Sequence, residues 1–527
     1  MQKQLTIRLQ PAKANDQLAV KEAIAATQGI KPDAITGFQL LKKSIDARGR
    51  QVMINLTLNA FIHEPFHPAA PEKFEFKDVT HAPKSVIIIG AGPAGLFAAL
   101  KLIESGIKPI LLERGKDVKS RRRDLAALNK EGIIHPDSNY CFGEGGAGTY
   151  SDGKLYTRSN KRGNINRILA LFCHFGAPEN ILSDAHPHIG TNKLPQIITA
   201  MREQIIACGG QVHFEHKLTD IITENNKIKK LITANGNSFS ADAYLLATGH
   251  SARDIFELLH NNNILIEAKP FALGVRAEHP QALIDSIQYH CNSRSEHLPP
   301  ASYSLVEQVN DKGVFSFCMC PGGIIAPAST NKDELVVNGW SPSKRNNPYA
   351  NSGMVVQVTH EDAAAALKHL KLPADHPLLF MYFQQMVERK AYTAGGGQFK
   401  APAQRLVDFC EKKVTGSLPA NSYIPGLNST DLYDVLPGFI AHTLRDGFRK
   451  FGKKMKGYYS NEAVIVATES RTSSPVRIPR DAEKGHHPQL SNLYPCGEGA
   501  GYAGGIVSAA MDGERVADWV RTNLIIS

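Results

Sequence analysis

The stretch SVIIIGAGPAGLFAALKLIESGIKPILLE, residues 85–113, constrains the fold more than any other part of the chain. An apolar run, SVIII, leads into Gly90, Gly92 and Gly95, which fit the spacing G-x-G-x-x-G. PAGLFAALKLIESG then reads as a helix that starts at the turn. KPILLE reads as a second strand, ending on Glu113, 23 positions after Gly90. A strand, a glycine turn, a helix and a parallel strand ending in an acid make the βαβ unit that binds a dinucleotide. Each part has a physical task. Gly90 permits the tight turn, Gly92 lets the backbone approach a pyrophosphate, and Gly95 lets helix and strand touch. Pro93 and Ala94 open the helix, whose free N–H groups and dipole favour phosphate. Glu113, with Arg114 beside it, is placed to accept hydrogen bonds from a ribose diol, and its charge disfavours the 2′-phosphate of NADP. These residues leave FAD and NAD both open.

A second cluster near the C-terminus repeats the spacing. Gly499, Gly501 and Gly504 in GAGYAG precede a helical stretch, GIVSAAMDGERVADWVRTNL. A working fingerprint needs a further strand ending in an acid about 20 residues on. Only 23 residues follow Gly504, and the helix uses most of them. This βαβ unit cannot close, so the sequence predicts one dinucleotide site.

The rest of the composition sets bounds. At roughly 100–200 residues per domain, 527 residues suggest two to four domains. Hydrophobic residues at 42% and charged residues at 21% suit a soluble globular protein. The longest apolar run, residues 86–100, is broken by glycines and Pro93, so no membrane span is expected. The start, MQKQLTIRLQPAKAND, lacks a signal-peptide hydrophobic region, and a cytoplasmic protein is expected. The eight cysteines are scattered without a C-x-x-C pair, which argues against a structural zinc site or a disulfide framework. His186 with His188, and His486 with His487, lack a ligand set, so no metal is expected. The formal charge of +10 has its densest cluster in KSRRRD, residues 119–124, and reads as a generally basic surface.

Four regions are predicted. Residues 1–80 read as a small β-α-β-β unit: QLTIRL, the helix DQLAVKEAIAATQG, and two strands joined at DARGR. It lacks an aromatic RNA-binding signature, so nucleic acid is not the favoured partner. Residues 81–253 read as the first part of an α/β dinucleotide-binding domain. Residues 254–465 read as a β-rich insert, with FALGVRAEH, VFSFCMCPGGIIAPAS and ELVVNGWSPS among its strands. Residues 466–527 return to the first domain through the apolar strand in EAVIVATES and the glycine cluster. The fold class is therefore α/β, a Rossmann-like domain with an inserted β-rich substrate domain and a small N-terminal unit.

Several motifs carry a family resemblance. CGEGAGYAGGIVSAAMDG resembles the last element of FAD domains in the glutathione-reductase-like superfamily, where a helix N-terminus faces the flavin. FGEGGAGTYSDGKLYTR, residues 142–158, resembles the glycine segment beside the isoalloxazine ring. YLLATGHSARD, residues 244–254, resembles the ATG strand that passes the cofactor. With FSFCMCPGG, AGGGQFKAPAQRLVDF and ESRTSSPVRIPRD, these motifs are similar to a bacterial family of uncharacterised FAD-dependent dehydrogenases. That resemblance spans nearly the whole chain. It implies non-covalent FAD and the fold, and no substrate. Beyond the first turn it implies Gly146, Ala147, Gly148, Thr248, Gly249, Gly497, Glu498, Gly499, Gly504, Gly505 and Ile506 as cofactor contacts, and Leu218 at the adenine. Disulfide reductases of the superfamily carry a complete NAD(P) domain and a C-x-x-x-x-C pair, and this chain has neither.

Four side chains stand out as candidates for chemistry. Arg471 and Arg477 in SRTSSPVR form a candidate anion clamp for a substrate carboxylate or phosphate. His250 and Arg276 are candidates for orienting substrate or moving protons, the alternative being domain-interface contacts. Cys318 and Cys320 in FCMCPGG are two apart, facing one side of a strand. They are expected not to be an obligate redox pair, because C-x-C strains an internal disulfide. The expected function is an FAD-dependent oxidoreductase moving hydride between a small anionic substrate and the flavin, with transient NAD(P)H binding left open. The alternatives are a flavin-dependent RNA-modifying enzyme and a non-catalytic flavoprotein sensor or scaffold.

Overall fold

The computed structural model of the protein describes residues 1–68, 70–157, 163–373 and 375–526. Arg158 and Ser527, which end two of the stretches above, lie outside the described residues. Strands Ser85–Ile89 and Lys108–Leu112 pair in parallel, with Ser85 opposite Lys108. Both sit in a five-stranded parallel sheet whose order is Leu493–Pro495, Ala243–Leu246, Ser85–Ile89, Lys108–Leu112, Gln211–His213. Val86, Ile87, Ile88 and Leu111 are fully buried, as expected where both faces of a parallel sheet are covered.

Helix Pro93–Glu104 follows the turn with Gly92 as its N-cap and Pro93 in the first position, where a missing N–H costs nothing. It packs against the C-terminal helix Ile506–Ile526 at very short range. A Cβ on Gly513 would stand 2.2 Å from the Ala94 carbonyl oxygen. A Cβ on Gly95 would stand 2.0 Å from the carbonyl oxygen of Gly90. Glycines at these two points bring both helices down on the first turn.

The region after residue 253 differs from its sequence reading in two ways. It is built on a seven-stranded sheet in the order Val306–Val309, Lys312–Cys320, Tyr349–Val358, Phe271–Pro280, Val464–Glu469, Ala401–Arg405, Leu427–Ser429. Strand Val464–Glu469 thus lies inside this sheet, antiparallel to its neighbours Phe271–Pro280 and Ala401–Arg405. The expected return to the first domain at residue 466 is therefore too early. The run VIVATE reads as a buried parallel strand because helices cover this sheet too, so both its faces are apolar. Among those helices are Leu379–Gly395 and Gly438–Lys454, each of 17 residues, so the insert is not only β-rich.

The N-terminal unit is a three-stranded antiparallel sheet, Gln2–Leu9, Met53–Ile62, Ile35–Asp46 in spatial order, carrying helix Gln17–Gln28. It is tied to the body by a bridge in which Lys43 donates to the Ser183 carbonyl and accepts from the Ala185 amide, at 2.8 and 2.9 Å. Among the described residues, no helix is long and apolar enough to cross a membrane.

The Gly513 contact makes a prediction. Alanine gains about 1 kcal/mol over glycine in a helix interior, but here its methyl group overlaps a backbone oxygen, and overpacking costs roughly 1–3 kcal/mol. Thermal melting should show Gly513→Ala destabilised. Gly416→Ala, whose new methyl meets nothing within 4 Å, is the comparison. Equal melting temperatures for the two variants would refute the close helix packing.

Candidate active site

Glu113 organises the site. It is 4% exposed, and its carboxylate accepts three backbone N–H groups. Ala91 donates to Oε2, while Gly115 and Gly143 donate to Oε1, each at 2.9 Å. One side chain thereby joins the first glycine turn, the end of the second strand and the FGEGGAG segment. The Gly145 amide adds a bond of 2.8 Å to the Ala91 carbonyl. A Cβ on Gly146 would come within 3.2 Å of the Gly92 Cα, so the two glycine segments run backbone to backbone. With three of its roughly four lone-pair positions used, Glu113 keeps one for a ribose hydroxyl, not the two that a bidentate contact needs.

A residue from the basic cluster completes this knot. Arg121 is fully buried, although KSRRRD reads as surface charge. Its guanidinium donates to the carbonyls of Asn139, Glu144, Tyr140 and Gly146 at 2.8–3.0 Å. It holds the second glycine segment in a curve around a single cation. Helix Val118–Glu131 supplies it, with Asp117 as N-cap. Nothing in local spacing separates this arginine from its solvated neighbours.

The knot borders a cavity of about 360 Å³. Of the residues selected from sequence, Gly90, Gly92, Pro93, Ala94, Glu113, Arg114, Gly146, Ala147, Gly148, Leu218, Thr248, Gly249, Glu498, Gly504, Gly505 and Ile506 line it. Gly95, Gly497 and Gly499 stand behind the wall. A Cβ on Gly497 would meet the Ala94 side chain at 2.9 Å, and one on Gly499 the Gly249 carbonyl at 2.6 Å. They close the packing between the ATG loop, the C-terminal glycine cluster and the first helix. Arg114 is engaged with the Asp254 carboxylate at 2.6 and 2.8 Å and lies over the Phe142 ring.

His250 lines the cavity beside Glu498, its Nε2 3.6 Å from a Glu498 oxygen. Burial pushes the imidazole's proton affinity down. Glu498 opposes this, while Arg471, Lys269 and Arg253 add to the fall, so the ring is neutral near pH 7. The other Glu498 oxygen accepts from the Gly505 amide, which links the histidine's partner to the start of the C-terminal helix.

The three arginines fall elsewhere than an anion clamp requires. Arg471 borders the cavity, but its donors go to Glu388 at 3.0 and 3.2 Å, to Thr330 at 2.9 Å and to Glu334 at 3.4 Å. Arg253 meets the same two acids at 2.8 and 2.9 Å. Two cations and two carboxylates thus neutralise each other in a buried cluster. Burial alone would raise the Glu388 carboxyl, but Arg253 and Arg471 outweigh it and hold it at about 2. Arg477 is exposed, lies outside the cavity lining and leans on the Tyr502 ring. Arg276 is fully buried and donates to Glu469 and Asn351 at 2.7 Å each. It lies outside the cavity lining and links its own strand to the two neighbouring strands of the insert sheet.

Cys318 and Cys320 also depart from a regular strand. The pairing register shifts between Phe317 and Cys320, and Cys318 has a φ of +48°. This bulge leaves Cys320 buried and turns Cys318 out onto the cavity wall. The neighbouring Cys320 thiol draws the Cys318 thiol down; burial opposes this, and Lys154 and Arg276 add to the fall. Cys320 is driven up, first by Cys318 and then by burial.

FAD fits this cavity. Gly249, Gly504 and Gly505 all line it, and a Cβ on any of them would meet nothing within 4 Å, so bare backbone faces the open space. A cradle of backbone amides and two helix N-termini suits a pyrophosphate and an electron-rich ring. Residues 90–93 would hold the phosphates, Glu113 a ribose hydroxyl, and residues 504–506 the flavin. Glu113→Ala would leave three buried N–H groups without their acceptor, at roughly 1.5–3 kcal/mol for each charge-assisted bond. Fluorescence titration of the FAD-stripped protein should show FAD affinity falling at least tenfold. Unchanged affinity would mean that Glu113 does not build the site.

Comparison with known proteins agrees on the cofactor. Residues 84–135 match a family described as an FAD binding domain. Residues 270–472 match one described as FAD-dependent protein, C-terminal domain-like, and residues 1–61 match a domain of unknown function. Among solved structures, the flavin-dependent brominase Bmp2 is 13% identical, covering 84% of this chain and 80% of its own at a TM-score of 0.35. Glycine oxidase from Bacillus cereus ATCC 14579 is 13% identical, covering 84% and 95% at a TM-score of 0.30. At these scores the likenesses decide nothing further. An uncharacterised protein of Clostridium beijerinckii is 37% identical over 525 residues, 96% of each chain. The chain, in which an FAD-binding segment is joined to an FAD-dependent C-terminal domain-like segment, belongs to the same family as that clostridial protein.

Proposed function

We propose that the chain is an FAD-dependent oxidoreductase that oxidises a small organic substrate at a carbon bearing a hydroxyl or amine. One observation carries this reading. One cavity is lined both by the glycine cradle and by Phe317, Cys318 and Asn338 of the insert, and His250 is among its lining residues. Bound FAD supplies two-electron redox chemistry, accepting hydride from carbon. The chain's own residues supply the rest. The insert excludes water and fixes the substrate's approach. His250, kept neutral by burial, accepts the substrate's hydroxyl or amine proton. With its Nε2–H turned to Glu498, its Nδ1 lone pair is the acceptor, 3.4 Å from the Ser251 hydroxyl. Glu498 then faces the imidazolium that forms.

The arginines that motivated an anionic substrate are engaged elsewhere, so the substrate's charge is not part of the proposal. Membership of the glutathione-reductase-like superfamily rests on the glycine and ATG motifs. A cytoplasmic setting is supported by eight free cysteines, which suit a reducing compartment. The N-terminal unit, bridged to the body through Lys43, supports a packing role more than an RNA-docking one.

Two measurements test the reading. Anaerobic mixing with a panel of alcohols, amino acids and hydroxy acids should bleach the flavin for at least one member. His250→Gln should then slow that bleaching by about 10²–10⁴-fold at unchanged FAD content. In parallel, NADH and NADPH should bleach the flavin only slowly and without saturation. Fast, saturable bleaching by either would assign the donor to a nicotinamide and overturn the proposal.

A further inference from the structure

Cys318 takes no part in that chemistry, yet it stands on the same wall. Lys154 Nζ lies 3.9 Å from its sulfur and 3.7 Å from the sulfur of Cys320, and donates to the Met319 carbonyl between them. Cys320 donates to the Cys318 carbonyl at 3.3 Å. Arg276 approaches from behind, 2.7 Å from that carbonyl and 3.6 Å from the Cys320 sulfur. Charges facing the pair from other elements are Asp152, 3.8 Å from Lys154, and Glu469, bound to Arg276. Arg345 pairs with Asp152 at 2.6 Å, so that carboxylate is shared between Arg345 and Lys154. Two cations therefore border two sulfurs, while both nearby acids have arginine partners. The bulge turns only one of the sulfurs towards the cavity.

We propose that Cys318 is a reactive thiolate, with Lys154 as its counter-ion, that forms a reversible mixed disulfide with small disulfides entering the cavity. The Cys318 sulfur attacks one sulfur of the disulfide, an S–S bond forms, and the other sulfur leaves as a thiolate. No other oxidant is needed. Cys320 keeps its proton and does not resolve the product, because a C-x-C ring holds the disulfide dihedral away from its preferred value. The proposal is independent of the hydride chemistry, since the thiolate reacts without an oxidisable substrate.

The test uses the FAD-loaded protein and 5,5′-dithiobis(2-nitrobenzoate), following release of the coloured thiolate. Wild type should release one equivalent in a fast phase that is lost in Cys318→Ser. An ordinary thiol, with a pKa near 8.5, slows tenfold for each pH unit below neutrality. The fast phase should instead stay within about threefold between pH 7 and pH 6. Lys154→Met should slow it at least tenfold at pH 6.5, and Lys154→Arg should restore it. A fast phase that survives Cys318→Ser would overturn the assignment. So would a wild-type rate falling tenfold per pH unit, a reading that needs no variant to fold. A second equivalent in the same phase, abolished by Cys320→Ser, would overturn the single-thiol form.

Discussion

The structure depends on a single buried carboxylate that gathers three backbone amides. Glu113 takes N–H groups from Ala91, Gly115 and Gly143, and so fixes three chain segments in one place. Glycine makes this possible, because only segments without side chains come so close. Arg121 supports the same arrangement from behind by binding four carbonyls. A buried acid and a buried arginine, each held mainly by backbone, thus shape the cradle. Their desolvation is offset by charge-assisted hydrogen bonds instead of by pairing with one another. The first glycine turn and the FGEGGAG segment at the cofactor end of the cavity are positioned by that knot.

The far end is shaped by the insert. Its sheet presents the Cys318 bulge, and the loop after Val464–Glu469 brings Arg471 into the cluster with Arg253, Glu334 and Glu388. This cluster ties helix Arg253–Asn261 to helix Leu379–Gly395 and to the chain leading back to the C-terminal glycines. Removing one member would leave a buried charge uncompensated, which typically costs about 3–5 kcal/mol. Its arginines therefore fix the mutual placement of cradle and roof. His250 sits at that junction, where a neutral imidazole and a carboxylate face the space between them.

The cofactor cradle was legible in the sequence because glycine spacing, a following helix and a terminal acid are local signals. Gly90, Gly92, Gly95 and Glu113 lie within one βαβ unit, and each has a distinct steric or electrostatic task. The chemistry of the arginines was not legible. Whether Arg471 faces substrate or two glutamates depends on residues more than 80 positions away. Arg121 illustrates the converse, a buried cation hidden in what reads as a solvated run. VIVATE was assigned to the wrong sheet because an apolar strand carries no mark of which covered sheet it joins. Cys318 and Cys320 read as neighbours on one strand face, and only the register shift at Cys318 separates their environments.

The central claim is that the two glycine segments joined by Glu113, together with the C-terminal glycine cluster, are the FAD site. Hydrogen–deuterium exchange on FAD-stripped and FAD-loaded protein tests it directly, since bound cofactor shields the amides that it contacts or covers. The account predicts that protection on loading concentrates in peptides spanning residues 88–96, 142–149 and 496–507. Protection confined to the insert or to the N-terminal unit, with those three segments unchanged, would contradict it.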